Sequence, residues 1–508
     1  MMTSIILGPP GTGKTTSILD LVEKSLECGV APDRIALVTF TTRGANEARE
    51  RAMRKFKLEA KQLPYFSTLH SMCYRQLGLS RNDVLTGKML YEFADYARVR
   101  VTGRAWSDDG ILTGFENGDR IMFMENLSRI RQIPLLQQYE QEDDQLDWTE
   151  VSRVAKALRT FKQTRALLDF TDMLTEFIRH GHGLPIEELY VDESQDLSSL
   201  QWAVVSLLAD NARSVTVAGD DDQAIYRWAG ADVEHLIRMD GEVRVLGQSH
   251  RVPLAIQKIA NDIINPVRDR RPKKWRAKAG VRGEISYANT FDSVDVSSGE
   301  VLVLARNGYV LKEQVMPALM QEGIIFEQNG KSSLDMGIMR AVTSWEDLRA
   351  VRPVTLGEVR EMYEYISTNT GVKRGFKTLP KFGDDPDVAV SMRDLVDHGG
   401  LLVDPRLVWH EALDRLPTEM MSYMLAARRR GEKLRGAKPR VRISTIHSAK
   451  GGEAEHVVLM KEIAARTWYE MSKGSHDDER RVWYVGATRA KQKLSIVSSE
   501  TTRECPWL

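Results

Sequence analysis

Short apolar runs, each followed by a stretch with helical spacing of apolar residues, recur along this chain in two clusters. The first cluster consists of Ile5–Leu7, Ile35–Phe40, Leu189–Asp192 and Val215–Ala218. The second cluster consists of Val243–Leu246, Val301–Ala305, Val457–Met460 and Leu494–Val497. Unbroken apolar runs that alternate with helices are typical of parallel strands buried on both faces. The pattern therefore predicts an α/β protein with two parallel sheets, one for each cluster.

Two long stretches between the members of these clusters have helical rather than strand spacing. They cover residues 75–164 and 334–437. We expect each of them to be a mostly helical insertion into a sheet domain. The predicted sheet domains then comprise residues 1–74 with 165–242, and residues 243–333 with 438–508.

The composition narrows the class of protein. Lys and Arg number 71, as do Asp and Glu, so the formal charge of the 508 residues is zero and a nucleic-acid site must be a local basic patch. Cys28, Cys73 and Cys505 are far apart, which argues against disulfides or structural zinc and fits a reducing cytoplasm. No stretch approaches the roughly 18 consecutive apolar residues of a membrane span. We therefore expect a soluble, cytoplasmic protein.

A glycine-rich segment, GPPGTGKT, links the first apolar run to a helical stretch. In a phosphate-binding loop the glycines allow successive backbone N–H groups to surround a phosphate at a helix N-terminus. Lys14 is positioned to reach the β- and γ-phosphate oxygens, and the Thr15 hydroxyl is positioned to ligate Mg²⁺. The predicted nucleotide-binding residues are Gly8, Pro9, Pro10, Gly11, Thr12, Gly13, Lys14 and Thr15.

Two adjacent carboxylates lie where the apolar run Leu189–Asp192 ends. In an enzyme with a phosphate-binding loop, a strand that ends in such a pair supplies the acidic groups of catalysis. We expect Asp192 to hold Mg²⁺ and Glu193 to orient and deprotonate the attacking water. Asp-Glu pairs at strand ends are mostly solvated, so the prediction depends on the loop that contains Lys14.

The segment VAGDDDQAIYRWAGAD places a polar side chain and two aromatic rings after another apolar run. Gln223 is positioned to contact a γ-phosphate or its water. Tyr226 and Trp228 either stack on nucleic-acid bases, which tolerates any base sequence, or belong to the core. Two further strand ends, TFTTRGA and STLHS, carry hydroxyl groups with Phe40 and His70 and suit contacts with a phosphate backbone.

The second half of the chain contributes arginines, basic runs and one polar turn. Arg251 and Arg489 lie near the edge of the predicted second sheet, and each either neutralises a γ-phosphate from that domain or forms a surface salt bridge. Two basic runs, 268–282 and 428–442, either contact nucleic acid or are solvated faces. The segment ISTIHSAKGGE suits backbone-phosphate contacts, and its Glu453 is available for a ribose hydroxyl.

Taken in order, these segments resemble the superfamily 1 helicases of the UvrD/Rep/PcrA type. The segments that carry the resemblance are GPPGTGKTT, TFTTRGANEARERA, STLHSMC, DFTDML, VDESQDLSSLQ, VAGDDDQAIYRWAGAD, SHR, VLVLARN, ISTIHSAKGGE and ERRVWYVGATRA. The resemblance implies two RecA-like motor domains, each interrupted by a mostly helical insertion. It also implies ATP in the cleft between these domains and single-stranded DNA across the top of both.

The resemblance assigns roles to individual residues of this chain. The implied catalytic residues are Lys14, Asp192, Glu193, Gln223, Arg251 and Arg489. The implied metal ligands are Thr15 and Asp192. The nucleotide contacts that it adds to the loop are Thr16, His250 and Glu453. The implied nucleic-acid contacts are Thr39, Phe40, Thr41, His70, Tyr226, Trp228 and His447.

The chain departs from the family pattern at several points, including the following three. His250 stands where the family has an aromatic residue that stacks on the base, and a histidine ring offers less area. Ala229 stands where an arginine usually follows the motif tryptophan. Only seven residues precede Gly8, where the family carries a glutamine-containing segment that recognises adenine. The sequence therefore does not predict a strict preference for ATP over GTP.

The predicted function is ATP-dependent translocation on single-stranded DNA and unwinding of duplex, in DNA replication, repair or recombination. The 3′ to 5′ polarity comes from the family resemblance alone. Expected cofactors are ATP and Mg²⁺, and expected partners are single-stranded DNA, single/double-strand junctions and unidentified replication or repair proteins. Two alternatives are a translocase that displaces proteins with little unwinding and a nucleotide-gated single-strand binding switch. A third, a P-loop kinase of small metabolites, predicts one sheet rather than two.

Overall fold

The computed structural model of the chain describes residues 2–103, 116–142, 145–180, 183–434, 438–472 and 476–508. Parts of the two predicted insertions, and with them part of the basic run 428–442, lie outside these described residues. Among the described residues, no helix is long and apolar enough to cross a membrane.

The first sheet lies in the N-terminal half of the chain, and its pairings are parallel. Its strands are β1 (Met2–Leu7), β2 (Ile35–Thr39), β3 (Phe66–Thr68), β4 (Glu188–Asp192), β5 (Ser214–Gly219) and β6 (Glu242–Val245). Their spatial order is β3-β2-β4-β5-β1-β6. β2 is buried at every position, which explains its unbroken apolar sequence.

The run from Val243 to Leu246 was expected in the second sheet, and this expectation was wrong. Strand β6 pairs in parallel with β1, with Val243 opposite Ile5, so it forms an edge of the first sheet. Residues 242–244 are exposed, as suits an edge strand. An apolar run of this length carries no information about which distant strand it joins.

The helices of the first half cover both faces of this sheet and form a separate layer beside it. They are α1 (Lys14–Glu27), α2 (Thr42–Phe56), α3 (Leu69–Gln76), α4 (Lys88–Ala97), α5 (Asn117–Ile130), α6 (Leu135–Gln141), α7 (Trp148–Thr164), α8 (Phe170–His180), α9 (Ser199–Ala209) and α10 (Val233–Arg238). Helices α1 and α2 pack on the face that carries Ile35 and Leu37. Helices α3, α8 and α9 pack on the face that carries Ala36 and Val38. Helices α4, α5 and α7 share a core of their own around Phe93.

The second sheet lies in the C-terminal half. The strands of this half are β7 (Glu284–Ala288), β8 (Val301–Ala305), β9 (Phe326–Gln328), β10 (Lys331–Ser332), β11 (Val354–Thr355), β12 (Ala389–Val390), β13 (Val441–Thr445), β14 (Ala454–Met460) and β15 (Ala490–Val497). The sheet has the order β10-β9-β13-β8-β14-β15-β7, and its pairings are parallel except for the β9–β10 hairpin. Strands β11 and β12 form a small antiparallel pair elsewhere.

The helices of the second half divide in the same way. They are α11 (Leu254–Ile264), α12 (Gly308–Val310), α13 (Met316–Gln321), α14 (Met336–Arg349), α15 (Leu356–Glu364), α16 (Met392–Asp397), α17 (Trp409–Ala412), α18 (Thr418–Arg429), α19 (Ala465–Ser472) and α20 (Asp477–Ala487). Helices α11 and α20 pack on the second sheet. Helices α14 to α18 surround their own core, which includes the fully buried rings of Trp345, Tyr363 and Trp409.

The two halves meet at the carboxyl edge of the first sheet. Strands β4 and β5 end there, and the polar segments that follow them bond to the turn after β13: Lys450 bonds to Asp196, and Tyr226 bonds to the backbone of His447. Ligands of parallel α/β sheets bind at this edge. The predicted fold class, two RecA-like parallel sheets each interrupted by helices, is confirmed, and two such sheets argue against the small-metabolite kinase.

Candidate functional site

The loop between β1 and α1 has the tight backbone that a phosphate-binding loop requires. Gly11 and Gly13 have φ angles of 70° and 83°, a region that favours glycine. A Cβ atom on Gly8 would lie 2.0 Å from Cγ of Lys14, so the lysine packs directly over this backbone. The N–H group of Gly8 donates to the carbonyl oxygen of Gly219 at 3.0 Å, which ties the loop to β5. Glycine is therefore required at three positions of the loop.

The hydroxyl group of Thr15 and the carboxylate of Asp192 lie together at the start of α1. Oγ1 of Thr15 donates to Oδ2 of Asp192 at 2.7 Å, so the end of β4 lies against the first turn of the helix. The free N–H groups of that turn favour an anion. Hydroxyl and carboxylate oxygens are the ligands that Mg²⁺ prefers in proteins. The pair therefore offers the ligand types of a nucleotide-bound metal, and Mg²⁺ ligation by Thr15 and Asp192 stays a prediction.

Glu193 follows Asp192 and is held toward the cleft in a left-handed backbone conformation, with φ of 51°. Its Oε2 atom accepts from the amide of Gln195 at 2.6 Å and lies 4.0 Å from Nζ of Lys14. Burial, and then the neighbouring Glu193 charge, raise the pKa of Asp192 to about 6. Burial also favours a raised pKa for Glu193, but Lys14, Lys450 and the bond from Gln195 lower that pKa to about 2. Glu193 is therefore ionised at neutral pH and able to accept a proton.

Gln223 lies in the short 3-10 turn that follows β5. Its amide nitrogen donates to Oδ2 of Asp220 at 2.7 Å, and its amide oxygen accepts from Nη2 of Arg489 at 2.9 Å. Because a carboxylate only accepts and a guanidinium only donates, these two partners fix the orientation of the amide. A side chain of the first half is thus joined to one of the second half inside the cleft.

Both predicted arginines reach this cleft. Arg489 follows α20 and is buried, and burial with the nearby charge of Arg251 lowers the pKa of Arg489 to about 9. Nε of Arg251 donates to Oε2 of Glu453 at 2.5 Å, and Glu453 also pairs with Lys491 at 3.1 Å. Both arginines line the cavity beside Lys14 and Glu193. Arg489 is buried and is not a surface salt bridge, whereas Arg251 does form an ion pair, with the partly exposed Glu453 at the wall of the cleft.

The segment before Arg251 lies directly on the phosphate-binding loop. Oγ of Ser249 donates to the carbonyl oxygen of Pro10 at 2.7 Å, and the N–H group of His250 donates to that of Gly11 at 2.8 Å. A Cβ atom on Gly11 would lie 2.4 Å from Cβ of Arg251. The loop and the first arginine therefore form one packed unit across the two halves.

The cleft between the halves has a volume of about 420 Å³. The predicted nucleotide and catalytic residues that line it are Pro9, Gly11, Thr12, Gly13, Lys14, Thr15, Thr16, Asp192, Glu193, Gln223, His250, Arg251, Glu453 and Arg489. Gly8 and Pro10 lie behind this surface, where they hold the loop in shape. The ring of His250 is exposed at the mouth of the cleft.

A larger cavity of about 880 Å³ adjoins the cleft and is largely apolar. The predicted nucleic-acid residues that line it are Phe40, His70, Tyr226, Trp228 and His447. Thr39 and Thr41 line the nucleotide cleft instead, and Oγ1 of Thr41 caps α2 by accepting from the N–H group of Gly44 at 3.1 Å. That Thr39 and Thr41 contact nucleic acid stays a prediction.

The rings of Phe40 and Tyr226 form a wall that the two spaces share. Their centroids lie 5.5 Å apart with an interplanar angle of 29°, and both rings line both cavities. The phenol of Tyr226 donates to the carbonyl oxygen of His447 at 2.9 Å, which joins the two halves. Tyr226 and Trp228 are only partly buried. This exposure favours the stacking interpretation of the two rings over the core interpretation.

The two histidines of the larger cavity are in apolar surroundings. Burial lowers the pKa of His70 to about 4, and its ring meets Phe170 edge-on at 6.1 Å. Burial, together with the charges of Arg306 and Lys450, lowers the pKa of His447 well below its usual value. Both rings are therefore neutral at physiological pH and add no charge to the cavity.

Several residues of the site were missed by reasoning from the sequence. Nζ of Lys450 donates to Asp196 at 2.5 and 2.7 Å and to the carbonyl oxygen of Gln223 at 2.6 Å. Its position between a strand end and two glycines is a signal that could have identified it. Gln195, which holds Glu193, gives no such signal.

The basic run 268–282 is neither a solvated face nor a nucleic-acid surface throughout. Lys273 is buried among three aspartates, and Arg270 forms a bidentate pair with Asp222. Trp275 packs against the core of the second sheet. Arg271 likewise bonds to the carbonyl oxygens of Ile237 and Met239, so three cations of this run serve the interface between the halves.

A phosphate-binding loop, a pair of carboxylates on the neighbouring strand and two arginines from a second parallel sheet define a P-loop nucleotide-binding protein with two RecA-like units. The family model described as the UvrD/REP helicase N-terminal domain matches residues 2–244. The model described as the UvrD-like helicase C-terminal domain matches residues 419–501. The chain belongs to the UvrD/Rep family of superfamily 1 helicases, as the resemblance predicted.

Three relatives illustrate the distance within this family. The "ATP-dependent DNA helicase PcrA" of Leuconostoc citreum is 24% identical over 415 residues, which cover 77% of this chain and 55% of the relative. The PcrA of Staphylococcus aureus strain Mu50 is 27% identical over 331 residues, 60% of this chain and 44% of the relative. That of Staphylococcus epidermidis RP62A is 27% identical over 299 residues, 54% and 40%. The chain spans about half the length of these relatives.

Proposed function

We propose that this protein hydrolyses ATP to translocate along single-stranded DNA and to unwind duplex in the 3′ to 5′ sense. The observation that carries the proposal is the meeting of the two halves at Gln223, where Arg489 and Lys450 of the second half bond to a side chain and a carbonyl of the first. A γ-phosphate bound beside Gln223 would then contact residues of both halves. Hydrolysis and the relative movement of the halves are thereby linked.

The residues of the cleft fit the chemistry of phosphoryl transfer to water. Glu193, ionised and 4.0 Å from Lys14, accepts the proton of the attacking water. Lys14, Arg251 and Arg489 neutralise the charge that grows on the transferring phosphoryl group, and a cation in this position contributes roughly 10³–10⁵ in rate. Thr15 and Asp192 would hold Mg²⁺, which when bound neutralises charge on the β- and γ-phosphate oxygens.

The shared wall of Phe40 and Tyr226 supports a connection between hydrolysis and nucleic-acid binding. A base that stacks in the larger cavity touches rings whose other side borders the nucleotide. Stacking on an aromatic ring contributes roughly 1–3 kcal/mol per base and tolerates every base. Closing and opening of the cleft would therefore change the grip on the strand without any sequence preference.

We further propose the division of the chain that the sequence predicted. Residues 1–74 with 165–242 and residues 243–333 with 438–508 are the two motor domains, with β6 as an addition to the first. Single-stranded DNA and single/double-strand junctions are the proposed partners, in replication, repair or recombination. The names of the relatives, all ATP-dependent DNA helicases, support this assignment.

Steady-state ATPase with and without single-stranded DNA tests the proposal. We expect strong stimulation by an oligo-dT strand at about 50 mM salt that weakens at about 200 mM, because phosphate contacts release counterions. Lys14→Ala is the matched control, since a contaminating ATPase would survive it. The same assay with GTP measures how strictly the site prefers ATP. Hydrolysis that ignores DNA would overturn the motor and leave RNA or a protein as the activator.

Polarity and mode of action need separate substrates. Displacement of streptavidin from biotin at the 5′ end but not at the 3′ end of the same strand is expected for 3′ to 5′ movement. A forked duplex then separates a helicase from a translocase that only removes proteins. Strand-binding that depends on nucleotide without any displacement would instead identify a switch.

A further inference from the structure

Three consecutive aspartates follow β5 and are buried between the two halves of the chain. Asp220, Asp221 and Asp222 are each at most 1% exposed. Nζ of Lys273, whose side chain is 1% exposed, lies 3.2 Å from Oδ1 of Asp220 and 3.1 Å from Oδ2 of Asp222, and it also bonds to Asp221. Burial of these charges costs desolvation free energy, which their mutual attraction offsets only where the geometry is good.

A second cation, Arg270, shares the cluster and forms its ion pair with Asp222. Its Nε and Nη2 atoms donate to the two oxygens of Asp222 at 2.8 and 2.6 Å. Arg481 of α20 adds a bond from Nε to the carbonyl oxygen of Asp221 at 3.0 Å. Lys273 and Arg270 thus carry the same charge into the same cluster, yet only the lysine is placed at 3.2 Å from Asp220 as an ion pair.

Asp220 connects Lys273 to two side chains of the nucleotide cleft. Its second oxygen, Oδ2, accepts from the amide of Gln223 at 2.7 Å. Its N–H group donates to Oε1 of Gln195 at 3.0 Å, and the amide nitrogen of Gln195 donates to Glu193 at 2.6 Å. Lys273 is therefore two contacts away from Gln223 and three from Glu193.

We propose that Lys273 is a positioning residue for ATP hydrolysis, which acts by holding Asp220 so that Gln223 keeps the orientation required at the γ-phosphate. The inference rests on the proposed function, because it needs a cleft that hydrolyses nucleotide. The amide of Gln223 is oriented correctly only while Asp220 accepts from its nitrogen and Arg489 donates to its oxygen. Lys273 keeps Asp220 available as that acceptor.

Lys273 belongs to the second half of the chain, so its contact with Asp220 joins the two halves. The segment that carries it packs through Trp275 against the core of the second sheet. Burial alone would lower the pKa of Lys273, but the charges of Asp220, Asp222 and Asp221 raise it, so the cation persists at neutral pH. Gln223, although it follows a strand of the first sheet, is consequently held in place from the second half.

The test compares Lys273→Met with two matched variants. Lys274→Met changes the neighbouring exposed lysine and controls for substitution in this segment. Arg270→Met removes the same charge from the same cluster but leaves the pair of Lys273 with Asp220. For Lys273→Met we expect kcat of the DNA-stimulated ATPase to fall on the order of 10- to 100-fold with KM for ATP within about threefold, because misplacement without loss of binding affects the chemical step. The loss of kcat in Arg270→Met should be several-fold smaller than the loss in Lys273→Met. Equal losses of kcat in the two variants would overturn the proposal.

A double variant of Lys273→Met with Gln223→Ala distinguishes a positioning role of Lys273 from a general loss of structure. If Lys273 acts through Gln223, adding Lys273→Met to Gln223→Ala should lower kcat by less than about twofold more, because interacting residues are not additive. Multiplicative losses would show that Lys273 acts elsewhere. If Lys273→Met does not fold, Lys273→Met with Asp221→Asn keeps the net charge of the cluster and still lacks the contact with Asp220.

The outcomes also distinguish this inference from the proposed function. A wild-type chain without DNA-stimulated ATPase would contradict the proposed function itself. A wild-type chain that hydrolyses ATP normally, together with Lys273→Met at the wild-type rate, would contradict only the role of Lys273. Melting temperatures of all variants, measured alongside, separate a slow folded enzyme from an unfolded one.

Discussion

The nucleotide cleft and the larger cavity beside it are lined by different types of side chain, charged in the cleft and largely apolar in the cavity. In the cleft, charged side chains already have partners: Arg251 pairs with Glu453, and Lys450 pairs with Asp196. In the larger cavity, rings meet rings, as Phe40 does with Tyr226. Preorganised charges suit a ligand whose charge changes during reaction, whereas aromatic faces suit a strand of arbitrary sequence that must be released and gripped again.

The difference teaches that the two regions should fail in different ways. Loss of a charged group in the cleft removes an interaction that forms mainly in the transition state, so the rate falls while binding persists. Loss of a ring in the cavity removes contact area with the strand, so affinity falls first. Substitutions in each region therefore test whether the cleft controls the rate and the cavity controls affinity for the strand.

The largest expected effect belongs to Glu193→Gln. The variant keeps the shape and the bond from Gln195 but cannot accept a proton, so kcat should fall by roughly 10²–10⁴. Affinity for ATP and for single-stranded DNA should change by less than about twofold, measured with a fluorescent nucleotide and a labelled oligonucleotide. Glu187→Gln, in an exposed pair with Arg34, is the matched control. Near-normal phosphate release would remove Glu193 from the role of general base.

Trp228→Ala is expected to have the next largest effect, in the other region. Loss of one stacking surface should weaken single-strand affinity by roughly 1–3 kcal/mol, about 5- to 150-fold. Trp468→Ala, which removes an exposed ring from α19, is the control. Fluorescence anisotropy with labelled oligo-dT measures the affinity, and the same strand in the ATPase assay measures stimulation. Unchanged affinity and stimulation would return Trp228 to a structural role.

Much of the cleft could be predicted from the sequence because its chemistry is local. The loop around Lys14 and the carboxylates at Asp192 each depend on neighbouring residues, and the structure brings the two segments into contact. Pairings between distant residues could not be predicted in this way. Lys273 bonds to Asp221, which lies 52 positions earlier in the chain. The sequence of a basic run does not indicate which carboxylates its side chains will pair with.

The same limit explains the remaining differences. β6 joins the first sheet because β1 offers a free edge, which its own sequence does not reveal. Thr39 and Thr41 lie on the same strand end as Phe40, yet these two residues line only the cleft, while Phe40 lines both spaces. Which space a side chain enters is decided by the packing of the whole edge rather than by its segment.

Tyr226→Phe is expected to have the smallest effect and tests the boundary between the two regions. The ring and its stacking on Phe40 remain, but the bond from the phenol to the carbonyl oxygen of His447, which joins the halves, is lost. One such bond contributes about 0.5–1.5 kcal/mol, so the stimulation of kcat by DNA should fall about 2- to 10-fold. Single-strand affinity should stay within about twofold.

Tyr226→Ala is the companion variant, because it removes the ring as well as the hydroxyl group and should weaken both affinity and stimulation. A Tyr226→Phe protein that loses affinity as strongly as Trp228→Ala would show that the phenol grips the strand directly. The wall between the cleft and the cavity would then belong to the strand-binding surface alone, and the link between hydrolysis and grip would have to pass through another contact, of which Lys450 with Gln223 is the nearest.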